Sequence, residues 1–269
     1  MSIILGMSNA TYHQHPAIGS STAKLALRSL RLVKDTIDGL AKPETVAQQV
    51  GTIFHGLILE PDRILPNVVD HGPINPKTGC EYGRDTKKWE EWAIENPTAV
   101  FLDDWMRPSL DRMPSAVSDL LLIPCDSEVS VFVDGTQFRM KARPDRLYDK
   151  LIIDLKSIDN IDSIDRSIDK YSYWFSGSWY RRVLFMETGV HHDFVLIFAE
   201  KNPPYRWRIV DLDDAYRKYG DEKVTDVIGQ IGQAFASGNW EDQDDIRILA
   251  TFPEWKSDSI NIQYDESEA

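Results

Sequence analysis

The chain has 269 residues, 42% of them hydrophobic and 10% aromatic, enough to bury a sizeable core and too apolar for disorder. Its net charge of −13 is uneven: residues 211–269 hold 15 acidic and 5 basic residues, a net of −10, against −3 for residues 1–210. Two cysteines, Cys80 and Cys125, exclude an iron–sulfur cluster or a four-cysteine zinc site and suit a reducing cytoplasm, and no apolar run is long enough to cross a bilayer.

The opening residues MSIILGMSNATYH lack the basic start and cleavage site of a signal peptide. The serines of GSSTAKLALRSLRLVKDTIDGL predict a capped amphipathic helix, with Leu25, Leu27, Leu30, Leu32 and Val33 as its apolar face. PETVAQQVGTIFHGLILEP predicts a second helix, opened by Pro43-Glu44 and stopped at Pro61. Residues 61–84 are rich in proline and glycine and predict a long loop. Helices follow near 85–95 and 103–122, the second interrupted by Pro108 and Pro114.

The pattern then changes. SEVSVFVDGTQFRMKARPDRLYDKLIIDLKS is dense in β-branched and aromatic residues, with hairpin turns at Asp134-Gly135 and Tyr148-Asp149-Lys150. Residues 163–188 predict a helix ending at Gly189. DFVLIFAEK and YRWRIVDL predict two further strands, followed by a helix from about 213 to 236. The expectation is one α/β domain, 1–269: a mostly helical elaboration (1–122), a core with a central mixed sheet flanked by helices (123–236), and an acidic C-terminal segment (237–269) that reads as solvated surface.

Chemistry concentrates in ARPDRLYDKLIIDLKS. Asp154 and Lys156 are two apart on a strand and so share a face, and the strand before them brings Asp145 alongside. Paired carboxylates with a nearby lysine suit a hard divalent cation such as Mg²⁺. Taken alone, Asp154 and Lys156 also fit a solvated ion pair.

The combination resembles the PD-(D/E)XK nuclease superfamily, written here as Pro144-Asp145 and Asp154-Leu155-Lys156. More narrowly it resembles the exonuclease VIII (RecE-type) nucleases of phages and prophages, through GTIFHGLILEP, SEVSVFV, RMKARPDRL, LIIDLKS and the aromatic helix YSYWFSGSWY. The resemblance implies a PD-(D/E)XK core in which Asp145 and Asp154 bind metal and catalyse. It gives the Leu155 carbonyl, His55 and Glu128 to the metal site, and Lys156 to the attacking water and the phosphate. Alternatives stay open: His55 as a helix histidine bonded to backbone, Glu128 as a strand-edge carboxylate. Arg143 either holds a DNA phosphate or pairs with an acid. Tyr173 and Tyr180 keep an aromatic frame, either at the DNA or packed on the sheet, and Arg181 and Arg182 either reach the DNA backbone or are solvated. Ser176 stands where the family carries glutamine.

The implied activity is Mg²⁺-dependent hydrolysis of linear double-stranded DNA, with Mn²⁺ able to substitute, 5′→3′ and in the service of recombination. The implied partners are duplex DNA, a single-strand annealing protein and further copies of the chain in a ring, with no membrane, in a bacterial cytoplasm. The competing expectations are an endonuclease or a repair or defence nuclease on this scaffold, and a catalytically weakened DNA-binding recombination protein.

Overall fold

The computed structural model of the chain describes residues 3–40, 45–123 and 125–242. Its first half runs β1 (Ile3–Ile4), α1 (Asn9–Gln14), α2 (Ser20–Ala23), α3 (Leu30–Ile37), α4 (Val46–Leu59), α5 (Pro61–Ile64), α6 (Lys87–Glu95), α7 (Met106–Asp111) and α8 (Ser115–Leu122). The second runs β2 (Asp126–Ser127), β3 (Ser130–Asp134), β4 (Arg139–Ala142), β5 (Arg146–Tyr148), β6 (Leu151–Ile158), α9 (Ile164–Lys170), α10 (Tyr173–Thr188), β7 (Asp193–Glu200), β8 (Trp207–Asp211) and α11 (Asp214–Ser237).

The strands form two sheets. One has the order β1-β3-β4, the other β2-β5-β6-β7-β8. In the larger sheet β6 and β7 are parallel and joined through α9 and α10, while β5 and β8 flank them antiparallel. The hairpin-rich stretch was expected in one sheet, but it changes sheets twice. The first change is at Glu128, between β2 and β3, and the second is at residues 143–145, between β4 and β5. Glu128 turns with a left-handed φ of 52°, an uncommon conformation for a residue with a side chain. Its N–H donates to the Asp145 carbonyl at 3.0 Å, so the two corners are tied together.

β6 and β7 are buried on both faces, as strands with helices on each side must be. Ile153 and Leu155 turn toward Phe54 and Leu57 of α4, with Val195, Ile197 and Trp207 in the same cluster. Ile152 and Ile158 turn the other way, toward Phe175, Trp179 and Val183 of α10 and Val224 and Ile231 of α11. Phe54 and Phe175 are fully buried, each contributing on the order of 2–3 kcal/mol of apolar transfer. α10 comes so close to β7 that a Cβ on Gly177 would lie 2.6 Å from the Phe194 ring.

Three expected helices are broken, each for a local reason. The first stops after α2 and a 3₁₀ turn at Lys24–Leu27, and Ser29 caps α3 afresh through Leu32 N at 3.2 Å. The 103–122 stretch divides between α7 and α8, with Pro114 as the residue before α8. The 163–188 stretch breaks at Ser172, which is left-handed at φ 49°. The second helix begins at Val46 behind a capping box of Thr45 and Gln48; Pro43 and Glu44 lie outside the described residues, as does most of the acidic segment. Pro61 opens α5 as its first residue, so the 61–84 stretch is not wholly loop. Among the described residues no helix is long and apolar enough to cross a membrane.

The end of β7 carries a charged clamp. Arg206 donates to both oxygens of Glu200 at 2.9 Å and to both of Asp162 at 3.1 Å. Glu200 is 3% exposed, and the Arg206 hydrogen bonds, against burial, bring its pKa down to about 2. A depressed carboxylate stabilises the fold above its ordinary pKa near 4.5 and loses that contribution as pH falls toward 2. Arg206→Ala is therefore expected to lower stability at pH 7 by about 2–3 kcal/mol. The difference from wild type should shrink below pH 4 in urea melts, and a pH-independent difference would remove the clamp as its cause.

Candidate active site

The β5–β6 hairpin closes through Asp149 and Lys150, with Asp149 left-handed at φ 42° as a tight hairpin turn requires. Its register pairs Arg146 with Ile153, so Asp145, one residue earlier, stands opposite Asp154. Asp145 belongs to no strand: β4 ends at Ala142, and Asp145 lies on the segment crossing between sheets. That placement frees its carboxylate to accept from Leu155 N at 2.6 Å while remaining 3.4 Å from His55 Nε2.

Asp154 is 2% exposed, and its Oδ2 lies 2.6 Å from Lys156 Nζ. The contact is an ion pair without hydrogen-bond alignment, leaving Oδ2 with no aligned donor. Lys156 Nζ also donates to the Leu155 carbonyl at 3.1 Å and sits 5.5 Å from the centre of the Tyr173 ring. His55 reaches the same carbonyl from the other face: Nε2 is 2.6 Å from Leu155 O, and Nδ1 is 2.7 Å from Gly51 O. Both ring nitrogens face carbonyl oxygens, an arrangement that suits a doubly protonated imidazole.

The electrostatics follow. Burial alone would depress His55, but the Asp145 charge and hydrogen bond lift it to about 9. Burial would raise Asp145, but His55, Lys156 and the Leu155 N–H hold it below the usual carboxylate range. Burial raises Asp154 despite the pull of Lys156, and Asp145 adds to the rise. Burial disfavours the Lys156 ammonium, yet Asp154 and Asp145 keep its proton on more firmly than in water. One carboxylate is firmly ionised and the other proton-hungry, a separation common at reactive centres.

These groups form the floor of a cleft of about 450 Å³ whose walls include His55, Glu128, Arg143, Asp145, Asp154, Lys156 and Tyr180. The structure thus brings together seven of the sequence-marked side chains, two of which, His55 and Lys156, bond to the buried Leu155 carbonyl. Glu128 is pushed up to about 7 by burial and then by Asp145, against Arg143. Burial raises the Tyr180 phenol well above its ordinary value, and Asp154, Tyr12 and Asp145 add to the rise.

Four residues marked for DNA stand elsewhere or are otherwise engaged. Arg143 is buried in the cleft wall, with Nε 2.5 Å from Glu128 Oε2 and Nη2 donating to Met7 O at 2.8 Å, so it does face an acid. Ser176 is buried behind the cleft, where its hydroxyl accepts from Lys24 Nζ at 2.9 Å. Arg181 faces away, donating to His192 O at 3.2 Å and approaching Asp221 at 3.4 Å. Arg182, beside it, donates to Thr225.

Sequence reasoning missed Lys141, whose ammonium lines the cleft and donates to Tyr12 O at 2.7 Å and His15 O at 2.9 Å. It also missed Tyr12 and the hydroxyls of Ser20, Ser21 and Thr22.

Two carboxylates and a lysine on one hairpin, faced by a helix histidine, agree with what the chain matches as a whole. Residues 21–244 match the family model described as a PDDEXK-like domain of unknown function (DUF3799). The chain belongs to that PDDEXK-like family. A protein named "Putative exonuclease" from Eubacterium rectale has a crystal structure that superposes with a TM-score of 0.63 at 14% identity, covering 96% of this chain and 100% of that one. At that identity the likeness shows a shared fold alone. An alkaline exonuclease from Laribacter hongkongensis gives 0.35 at 12% identity over 82% of this chain and 91% of that one, too distant to bear on the fold. No curated protein matches the sequence.

Among the described residues no three His, Cys, Asp or Glu side chains gather into a ready metal cage, because Asp145 is turned to Leu155 N–H and Asp154 to Lys156. The donor chemistry nonetheless fits a hard cation of the Mg²⁺ type, which takes few protein oxygens and fills its octahedron with water and phosphate.

Proposed function

We propose that this chain is a Mg²⁺-dependent deoxyribonuclease that hydrolyses phosphodiester bonds of linear double-stranded DNA, with Mn²⁺ able to substitute. The observation that carries the reading is the pair of opposed carboxylates, Asp145 and Asp154, converging with the Lys156 ammonium in one cleft, with the Leu155 carbonyl bonded to that ammonium just beneath. Asp145, Asp154 and Leu155 O would hold the cation, with His55 and Glu128 beside them. When bound, the cation would activate water and withdraw charge from the phosphate.

The protein does the rest. Lys156, kept protonated by its carboxylates, donates toward charge developing on the phosphate and does not act as a base. His55 orients Asp145 and the Leu155 carbonyl from α4, much as outer-shell partners orient metal ligands. Arg143, 2.5 Å from Glu128 Oε2, fixes that carboxylate at the corner between sheets.

The family resemblance supports a finer reading as well: 5′→3′ exonuclease action in DNA recombination, in the bacterial cytoplasm. It includes a ring of copies with DNA through the middle and a single-strand annealing protein as partner. A ring with its clefts inward tolerates the acidic charge of the chain on its exterior.

The test compares 5′-labelled linear, 3′-labelled linear and closed circular DNA. With Mg²⁺, label is expected from linear DNA alone, from 5′ ends first, and none in chelator. Linearisation of the circle would replace the exonuclease with an endonuclease; undiminished cleavage in chelator would remove the metal.

A further inference from the structure

Ser176 occupies the helix position at which RecE-type sequences carry glutamine, and the side chain bound to it comes from 152 residues away. Lys24 donates from Nζ to Ser176 Oγ at 2.9 Å and to the Tyr171 carbonyl at 2.7 Å. Its ammonium lies 5.9 Å from the centre of the Tyr173 ring, the same ring that Lys156 approaches to 5.5 Å. Both acceptors of Lys24 are neutral oxygens. Burial pushes the Lys24 ammonium down to about 8, the Lys156 charge adds to the fall, and Asp154 opposes it. A half-buried cation resting on uncharged acceptors, with no carboxylate among its hydrogen-bond partners, is placed for something other than a surface ion pair.

We propose that Lys24 is a positioning residue of the active site: fixed by Ser176 and Tyr171 near the same Tyr173 ring, its ammonium repels Lys156 and holds it on Asp154 and the Leu155 carbonyl. The lysine stem is flexible and its head seeks any acceptor in reach. Lys24 occupies the two oxygens behind Tyr173 and repels a second ammonium from that side, so Lys156 is confined to the cleft floor. A glutamine at 176 would fill the same space with a longer side chain from α10.

The inference rests on the nuclease reading, and its test separates the two. In the full-length chain, Lys24→Met is expected to lower kcat on linear duplex DNA about 10-fold, the usual scale for an outer-shell residue, with KM changed less than about twofold. Ca²⁺, a non-hydrolysing probe measured by calorimetry, should bind severalfold more tightly once a positive charge in the field of Asp154 is gone.

Adding Ser176→Gln to Lys24→Met should recover most of kcat, which a general loss of packing would not allow. Should Lys24→Met fail to fold, Ser176→Ala removes the hydroxyl that holds Lys24 and is expected to lower kcat to a lesser degree. Unchanged kcat in whichever of these variants folds overturns the proposal. So does a loss confined to KM with a salt dependence of DNA binding reduced by about one contact, which would make Lys24 a phosphate ligand. If the wild-type chain cleaves no DNA, the nuclease reading fails by itself. The Ca²⁺ affinities then decide Lys24, and equal values in wild type and variant overturn it.

Discussion

Asp154→Asn is expected to remove Mg²⁺-dependent degradation of linear DNA, lowering it roughly 1000-fold or more, since a lost charge on a metal-bearing carboxylate forfeits several kcal/mol of transition-state stabilisation. The carboxamide has nearly the same shape, so the 2% exposed position stays filled, and a thermal melt should show a folded protein. The substitution takes the negative charge from Oδ2, which has no aligned hydrogen-bond donor among the described residues. It leaves Lys156 with Asp145 as its remaining anion. Rates of DNA loss with Mg²⁺, and Ca²⁺ binding by calorimetry, should fall together. A variant that digests DNA at the wild-type rate would remove Asp154 from the chemistry and leave a buried ion pair of structural use only.

The sequence made the Asp145–Asp154–Lys156 set legible because its geometry is local. A two-residue turn fixes the hairpin register, register puts the carboxylates opposite one another, and alternation puts Lys156 on the face of Asp154. His55 and Glu128 were marked only by resemblance, since nothing in a helix face or a strand start announces what lies 100 residues on.

The split into two sheets was not legible. Its corners are a left-handed glutamate, which no local pattern announces, and the dipeptide Arg143-Pro144, whose proline marks a strand end but not a change of sheet. Arg181 shows a second limit. It follows Tyr180 by one residue, and one residue turns a helix by about 100°, so a neighbour of a cleft tyrosine faces α11 and Asp221. Lys24 and Lys141 act on carbonyls and hydroxyls far along the chain, contacts that carry no sequence period at all.

Lys156→Met is expected to cost about 100- to 1000-fold in kcat, the scale for removing one preorganised donor from a developing anion, with a small change in KM. Methionine keeps much of the length of the stem, so the loss belongs to the ammonium. Lys156→Arg should not restore the rate. A planar fork cannot place one nitrogen 2.6 Å from Asp154 and 3.1 Å from Leu155 O on a stem of the same path, and arginine and lysine are not equivalent where a point charge is wanted.

The rival account makes Lys156 only the counter-ion of a buried aspartate. It predicts that Lys156→Met destabilises the fold by about 3–5 kcal/mol and that adding Asp154→Asn recovers most of that stability. The active-site account accepts such recovery of stability and denies any recovery of rate. A double variant as stable as wild type and still inactive separates charge balance from catalysis, and a double variant that regains cleavage would defeat the catalytic role of both residues.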